Sequence, residues 1–417
     1  MLKFSLSEII RSLSETLDLV FFGLGVDWGS MSHSSKVCYI SCKIAEQMNL
    51  DKVLSGDLYY AALLHDVGLI LTREAEGMIH FEAHEDFLHC KRGNEILKKC
   101  SYTERLANII LHHHDKWAGP NETGITGNMI PICSRIIFIA DRIDILIRPR
   151  EYILHQKTEI INTVNKNSGT YFDPQVVAAF NQIGRLESFW LDLTTKHTED
   201  LLRNYKFTEN IKLNYDELEH IAEIFAHIVD SKSKFTKEHS RRVSRIANAL
   251  ARKLKFSPLE CEMIKVAGLL HDLGKLAIPD ELLDKPDKLS DDEFEIMKRH
   301  TYFTNLILNK VRGLDTIAKW AAFHHERLDG SGYPFHTKGE IIPLGARILA
   351  VSDVFTALTE DRPYRKGYTK EVMHNILNKY ASEGALDSGV VNIVTENIDE
   401  FYKLTKSEQS QQNYLLS

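Results

Sequence analysis

Apolar positions recur at helical spacing through almost the whole chain. Val243, Ile246, Ala247, Leu250 and Leu254 make one stripe at i, i+3, i+4, i+7 and i+11, the spacing that gives a helix a single apolar face. Helix starts are equally legible. Ser257-Pro258-Leu259-Glu260 is a capping box with proline at the first helical position, opening a helix that runs into His271. Ser290 to Glu293 is a second capping box, opening the helix that carries His300, and Gly313 suits the C-terminal cap of that helix. A further helix, rich in Glu, Leu and Ile, is predicted over 215–229. Alternating, strand-like segments are scarce, so the pattern predicts an all-α protein.

The pattern also repeats. His33 precedes His65 by 32 residues, and His239 precedes His271 by 32. His89 precedes His113 by 24, and His300 precedes His324 by 24. Leu63-Leu64-His65-Asp66 matches Leu269-Leu270-His271-Asp272, and Ile139-Ala140-Asp141 matches Val351-Ser352-Asp353. Gly169 to Val177 matches Gly384 to Val391. With only 19 histidines in 417 residues, such agreement marks a tandem duplication of a helical domain, not a short-period solenoid. The expected division is a first domain over 1–205, a second over 206–404, and a polar tail over 405–417 that frays. The polar stretch 206–213 lies at the junction, and no Gly/Ser-rich linker separates the halves.

Composition narrows the class. The chain is 43% hydrophobic and 26% charged, with a net charge of −7. No global positive field draws it to a nucleic acid polymer or to anionic lipid. The run 17–26 is interrupted by Asp18, Gly23 and Gly25 and is too short to cross a membrane. The six cysteines form no CxxC pair, which suits reduced, buried thiols in a soluble cytoplasmic protein.

Chemistry concentrates in the second half. His239, His271, Asp272, His300, His324, His325 and Asp353 are imidazoles and carboxylates, the donors that suit iron, manganese, zinc or nickel. Five His and two Asp exceed the needs of one tetrahedral ion and suffice for two ions sharing a bridge. The adjacent pair at 271–272 lets Asp272 bridge while His271 serves one ion. Lys275 follows one turn later, where it can steady charge on a phosphoryl oxygen. Asp353 ends an apolar run, and an acid so placed needs a partner such as a cation.

These residues occur in a recognisable order. HDLGK (271–275), Ile278-Pro279-Asp280, Asp284-Lys285-Pro286, His300, HHERLDGSGYP (324–334) and SDVFTALTEDRPYR (352–365) together resemble the HD-GYP subfamily of HD-domain phosphohydrolases, across about 214–404. The resemblance implies two tandem HD-type helical domains, the first divergent, and a carboxylate-bridged pair of divalent ions, iron or manganese. It implies a cyclic dinucleotide substrate, usually cyclic di-GMP and in some members 3′,3′-cyclic GMP-AMP, cut to a linear dinucleotide. Carried over by residue, His239, His271, Asp272 and Asp353 hold one ion, while Asp272, His300, His324 and His325 hold the other. Lys275 contacts the scissile phosphate, and Asp272 orients the attacking water or takes its proton. Gly332, Tyr333, Pro334, Arg362 and Arg365 contact substrate. Phe235 stands where three-metal members carry Glu, so two ions are expected. A homodimer is compatible with this reading.

The first half keeps all seven ligand positions as His33, His65, Asp66, His89, His113, His114 and Asp141. Yet Leu69 stands at the place of Lys275, and PNETGITGN follows Gly119 with no Gly-Tyr-Pro. A degenerate, metal-free domain and a loaded site of different activity both remain open. For the whole protein the alternatives to a phosphodiesterase are a silent cyclic dinucleotide receptor and an HD-type nucleotide phosphohydrolase. The complete ligand set of the second half favours catalysis over the receptor, and its intact Gly-Tyr-Pro loop favours the phosphodiesterase over the phosphohydrolase.

Overall fold

The structure is a computed structural model that describes residues 3–23, 33–69, 87–194, 198–203, 205, 211–233, 238–361 and 366–406. Among the described residues the chain forms twenty α-helices and one two-stranded sheet. In that sheet Phe4–Ser5 runs antiparallel to Lys212–Leu213, with Phe4 opposite Leu213. The fold is all-α, as the periodicity predicts.

The chain divides into two compact units. One is Ile9–Ile211; the other is Lys212–Ser417 together with Met1–Glu8. The first eight residues therefore belong with the second unit. Phe4 is buried there against Tyr215, edge to face at 4.9 Å between ring centroids.

Within the second unit, Pro258–Leu270 packs against His239–Lys253. Val243, Ile246, Ala247 and Leu250 are fully buried, while Leu254 at the helix end is half-buried. The two helices approach closely because residue 268 is glycine: a Cβ there would lie 2.7 Å from Ser244 Cα. Both capping boxes form as predicted, at Ser257/Glu260 and Ser290/Glu293. A third, Asn214 with Glu217, opens Tyr215–Lys232. The helix at His239 starts differently. Its N-cap, Glu238, is left-handed and makes no side-chain cap bond. Asp230 of the preceding helix instead accepts from Ser240 N at 3.1 Å and Ser240 Oγ at 2.8 Å.

Three expectations need correction or placing. Gly313 does not cap its helix, which ends at Leu308 with Asn309 as the C-cap; its φ of +89° serves the turn before Asp315–Ala322. Thr405 is not part of a frayed tail. It is buried in the last turn of Ile398–Lys406, with its hydroxyl donating to Tyr402 O. Residues 407–417, Phe235, and much of 17–26 and 206–213 lie outside the described residues or their side chains.

The duplication is visible in detail. Gly169 and Gly384 both turn the chain with positive φ (78° and 73°). Asp173 and Asp387, the N-caps of Pro174–Ile183 and Ser388–Glu396, each pair with an arginine, Arg135 and Arg347.

Candidate metal centre

The seven residues singled out in the second half come together. His271 is the C-cap of Pro258–Leu270, and Asp272 opens the short 3-10 turn Leu273–Ala277. His300 lies in Asp291–Leu308, His324 and His325 follow Asp315–Ala322, Asp353 sits in Leu344–Thr359, and His239 begins its own helix. Gly274 lets the pieces close up. A Cβ at 274 would lie 2.0 Å from His300 O, so only glycine allows the turn to rest on that helix.

The imidazoles are held in one tautomer. Nδ1 of His271 faces Gly268 O at 2.8 Å, Nδ1 of His300 faces Met297 O at 2.6 Å, and Nδ1 of His324 faces Ala321 O at 2.6 Å. A carbonyl only accepts, so each Nδ1 carries the proton and each Nε2 presents a lone pair. Those three Nε2 atoms and Asp272 Oδ1 are buried without a hydrogen-bond partner. Such groups are costly when left alone. Here they converge around Asp272, and bound cations would satisfy them.

Asp272 lies between two donor sets. Its Oδ2 is 3.2 Å from His271 Nε2 and 3.9 Å from His239 Nε2. Its Oδ1 is 3.6 Å from His300 Nε2 and 3.8 Å from His324 Nε2. Donor atoms of His239, His271 and Asp353 cluster within 4.8 Å of one another, as do those of His300, His324 and His325. These separations suit groups that share a metal ion, and Asp272 stands between the two sets.

Electrostatics agrees. Burial alone would raise the Asp272 carboxyl, but His271, Lys275 and His300 hold it well below the usual carboxylate range. Burial would likewise raise Asp353, and its hydrogen bond with His239 keeps it low. Burial drives His300 down to about 4, and burial with the neighbouring His300 drives His325 to about 3. His324 falls well below its ordinary value through burial and the adjoining His325. These rings are neutral near pH 7. His239 is the exception: burial lowers it, but Glu360 and Asp353 outweigh burial and lift it to about 10.

Glu360 is the residue the sequence reading missed. Its carboxylate lies 3.1 Å from His239 Nδ1 and 3.1 Å from Arg242 Nη1, while His239 Nε2 faces Asp353 Oδ1 at 3.1 Å. A carboxylate behind a ligating histidine fixes its tautomer and orientation. Glu326 was missed as well. Buried directly after His324-His325, it accepts from Phe335 N at 2.7 Å and Thr337 N at 2.8 Å. Tyr333 N in turn bonds His325 O at 3.2 Å, and a Cβ at Gly332 would lie 2.5 Å from that same oxygen. The loop 330–337 is thereby pinned beside the ligands. The Tyr333 ring lies over the His325 ring, with centroids 4.9 Å apart at 34°, and Pro334 follows it through a cis bond. Lys275 Nζ bonds Asp272 Oδ2, the oxygen that faces His271. Arg362 and Arg365 lie outside the described residues.

In the first half, His33, His65 and Asp66 cluster, as do His89, His113 and His114 with Cys90. Leu69 is buried at the place of Lys275. The loop after Gly119 is organised by Asn121, whose side chain bonds Lys116 N, Lys116 O and Ile125 O, each at 2.8 Å.

With this geometry in view, comparison with known proteins is direct. The HD domain family matches residues 223–390 and again 31–146. The chain is 32% identical over 413 residues to the 3′3′-cGAMP-specific phosphodiesterase 1 of Vibrio cholerae, covering 97% of this chain and 94% of that one. It is 42% identical over 163 residues to the cyclic di-GMP phosphodiesterase response regulator RpfG of Xanthomonas campestris, covering 39% of this chain and 43% of that one. The crystal structure of a cyclic GMP-AMP-specific phosphodiesterase of V. cholerae superposes with a TM-score of 0.68 at 26% identity, covering 95% of this chain and 98% of that one. This chain belongs to the HD-domain family, as a tandem-HD member of the HD-GYP phosphodiesterases.

Proposed function

We propose that the protein is a metal-dependent cyclic dinucleotide phosphodiesterase working from its C-terminal centre, and that it opens 3′,3′-cyclic GMP-AMP or cyclic di-GMP to a linear dinucleotide. The observation that carries this is the buried Asp272 carboxylate, with one oxygen toward His271 and His239 and the other toward His300 and His324. His239, His271, Asp272 and Asp353 would hold one divalent ion and Asp272, His300, His324 and His325 another, and the pair would supply Lewis-acid polarisation of phosphoryl oxygens and an acidified water. The chain's own groups do the rest. Lys275 brings an ammonium to the place where charge develops on a non-bridging phosphoryl oxygen. Asp272 orients the attacking water for in-line displacement of the 3′ oxygen. Gly332, Tyr333 and Pro334 wall the site beside His325 and contact the nucleotide. Arg362 and Arg365, three residues apart, offer guanidinium forks to its two phosphates.

Iron or manganese is the metal in this reading, since both accept mixed imidazole and carboxylate donors. The relatives that match nearly the whole chain are named for cyclic GMP-AMP, which supports that nucleotide as the preferred substrate. Among the described residues no helix is long and apolar enough to cross a membrane. The reading places the enzyme in the cytoplasm and admits a homodimer.

Product analysis tests it. Anaerobically purified protein with bound metal should convert one or both cyclic dinucleotides to linear product. The double variant His271→Ala/Asp272→Ala should lose turnover, and full activity there would refute the proposal. Tight binding without turnover in the native chain would point to a receptor. Phosphate release from mononucleotides alone would point to a different HD hydrolase.

A further inference from the structure

We propose that the N-terminal unit is a metal centre in its own right, and that Cys90 gives it a thiolate ligand that the C-terminal centre lacks. Three donor pairs agree between the two halves, although Asp141 Oδ2 also takes Arg142 at 2.8 Å, where the second half has Val354. His65 Nε2 lies 3.3 Å from Asp66 Oδ2, against 3.2 Å for His271 and Asp272. His33 Nε2 lies 3.4 Å from Asp141 Oδ1, against 3.1 Å for His239 and Asp353. His89 Nε2 lies 3.8 Å from Asp66 Oδ1, against 3.6 Å for His300 and Asp272. Asp66 therefore spans its two donor sets as Asp272 does.

The support behind the ligands is rebuilt too. His33 Nδ1 meets Asp144 Oδ2 at 2.7 Å, and Asp144 Oδ1 accepts from Lys36 at 2.8 Å. This is the arrangement of His239, Glu360 and Arg242: the cation stands three residues after the histidine in both halves, while the carboxylate comes from a different position. A Cβ at Gly68 would lie 2.1 Å from His89 O, the same close approach as Gly274 makes to His300.

The second ion's place differs in one atom. Aligning His89 with His300 puts Cys90 where the other half has Thr301, whose hydroxyl donates to Lys298 O. Cys90 is fully buried, with Sγ 3.6 Å from His89 Nε2 and 3.5 Å from the His113 ring at Nδ1. His113 Nδ1 faces Ile110 O at 2.7 Å, which leaves Nε2 as the donor, 3.3 Å from His89 Nε2. One nitrogen of each of the rings His89, His113 and His114 and the Cys90 Sγ lie within 4.8 Å of one another. Bonds of about 2.0–2.1 Å to nitrogen and 2.3 Å to sulfur place tetrahedral ligands about 3.3–3.6 Å apart. A thiolate makes the site softer than the all-imidazole and carboxylate centre of the second half, so it favours zinc over manganese. Binding converts the Cys90 thiol to thiolate and releases its proton to solvent. With Leu69 buried at the place of the lysine, the N-terminal centre holds its ion without the ammonium that would act on a phosphate.

Cobalt(II) is the probe. Reconstituted with cobalt under reducing conditions, the full-length protein should show a near-ultraviolet thiolate-to-cobalt charge-transfer band. The band should vanish in Cys90→Thr, the residue of the duplicate position, with circular dichroism and the visible cobalt bands of the other ligands retained. As a second measurement, the His271→Ala/Asp272→Ala chain should still retain bound zinc by elemental analysis. A native protein with no such band, or a band unchanged in Cys90→Thr, would overturn the thiolate and leave only a thiol hydrogen-bonded to imidazole. Complete loss of metal from the double variant would overturn the N-terminal centre altogether.

Discussion

At the scale of single residues, the ligands are set by chemistry and their supports by space. Glu360 reaches His239 from the end of the helix that carries Asp353, whereas Asp144 reaches His33 from one turn beyond Asp141. Removing the charge in Glu360→Gln should lower metal affinity or activity by roughly 10–100-fold, measured by competition with a chelating dye. His239 also sets a pH dependence. Burial lowers it, but Glu360 and Asp353 raise it to about 10 in the metal-free protein. It therefore holds a proton at Nε2 near pH 7, which an ion must displace. Affinity should rise with pH until His239 deprotonates near that value. Calorimetry in buffers of different ionisation enthalpy should show proton release on metal binding, and buffer-independent heats would count against it. Lys232 carries the opposite sign. Burial, partly offset by Asp280, lowers it to about 8, and its ammonium donates to Leu276 O at 2.6 Å. The unfolded chain binds this proton more tightly, so the contribution of Lys232 to stability rises from about pH 8 to the ordinary lysine value. Lys232→Met should flatten the rise of unfolding free energy with pH over that window.

At the scale of elements, close packing brings the ligands together. The turn Leu273–Ala277 rests on Asp291–Leu308 through Gly274. In Gly274→Ala the added methyl meets the His300 carbonyl, so the turn or the helix must shift. Overpacking of this kind costs about 1–3 kcal/mol; the variant should melt lower and bind less metal. The loop 330–337 depends on Glu326, whose two backbone bonds hold it over His325. Glu326→Ala should raise KM or lower kcat while bound metal stays unchanged, since no ligand moves with it. Metal loss in step with activity would show that the loop supports the ligands as well. The helices themselves were legible: periodicity and capping boxes located those leading to His271 and His300. Gly313 misled because glycine with positive φ serves an interhelical turn as readily as a helix end.

At the scale of the whole molecule, duplication explains the likeness of the two halves, but not the path of the N-terminus. Phe4–Ser5 pairs with Lys212–Leu213, and Phe4 is buried on Tyr215. Phe4→Ala should therefore destabilise the second unit, by about 3–5 kcal/mol for a buried aromatic. Hydrogen exchange resolved by segment should show the loss over Lys212–Lys232; loss confined to Ile9–Ile211 would contradict the assignment. Two residues of sheet carry no alternating pattern long enough to read from sequence.

The sequence by itself determined the all-α class, the duplication and the His and Asp positions that recur in both halves. Metal coordination demands particular residue types, and helices return them at fixed spacings, so both leave a mark along the chain. Tertiary structure alone decided that Glu360 and Asp144 stand behind equivalent histidines, that Glu326 clamps the loop, and that Cys90 joins His89, His113 and His114. A hydrogen-bond or ligand partner need only be near in space, and many sequence positions meet that condition equally well.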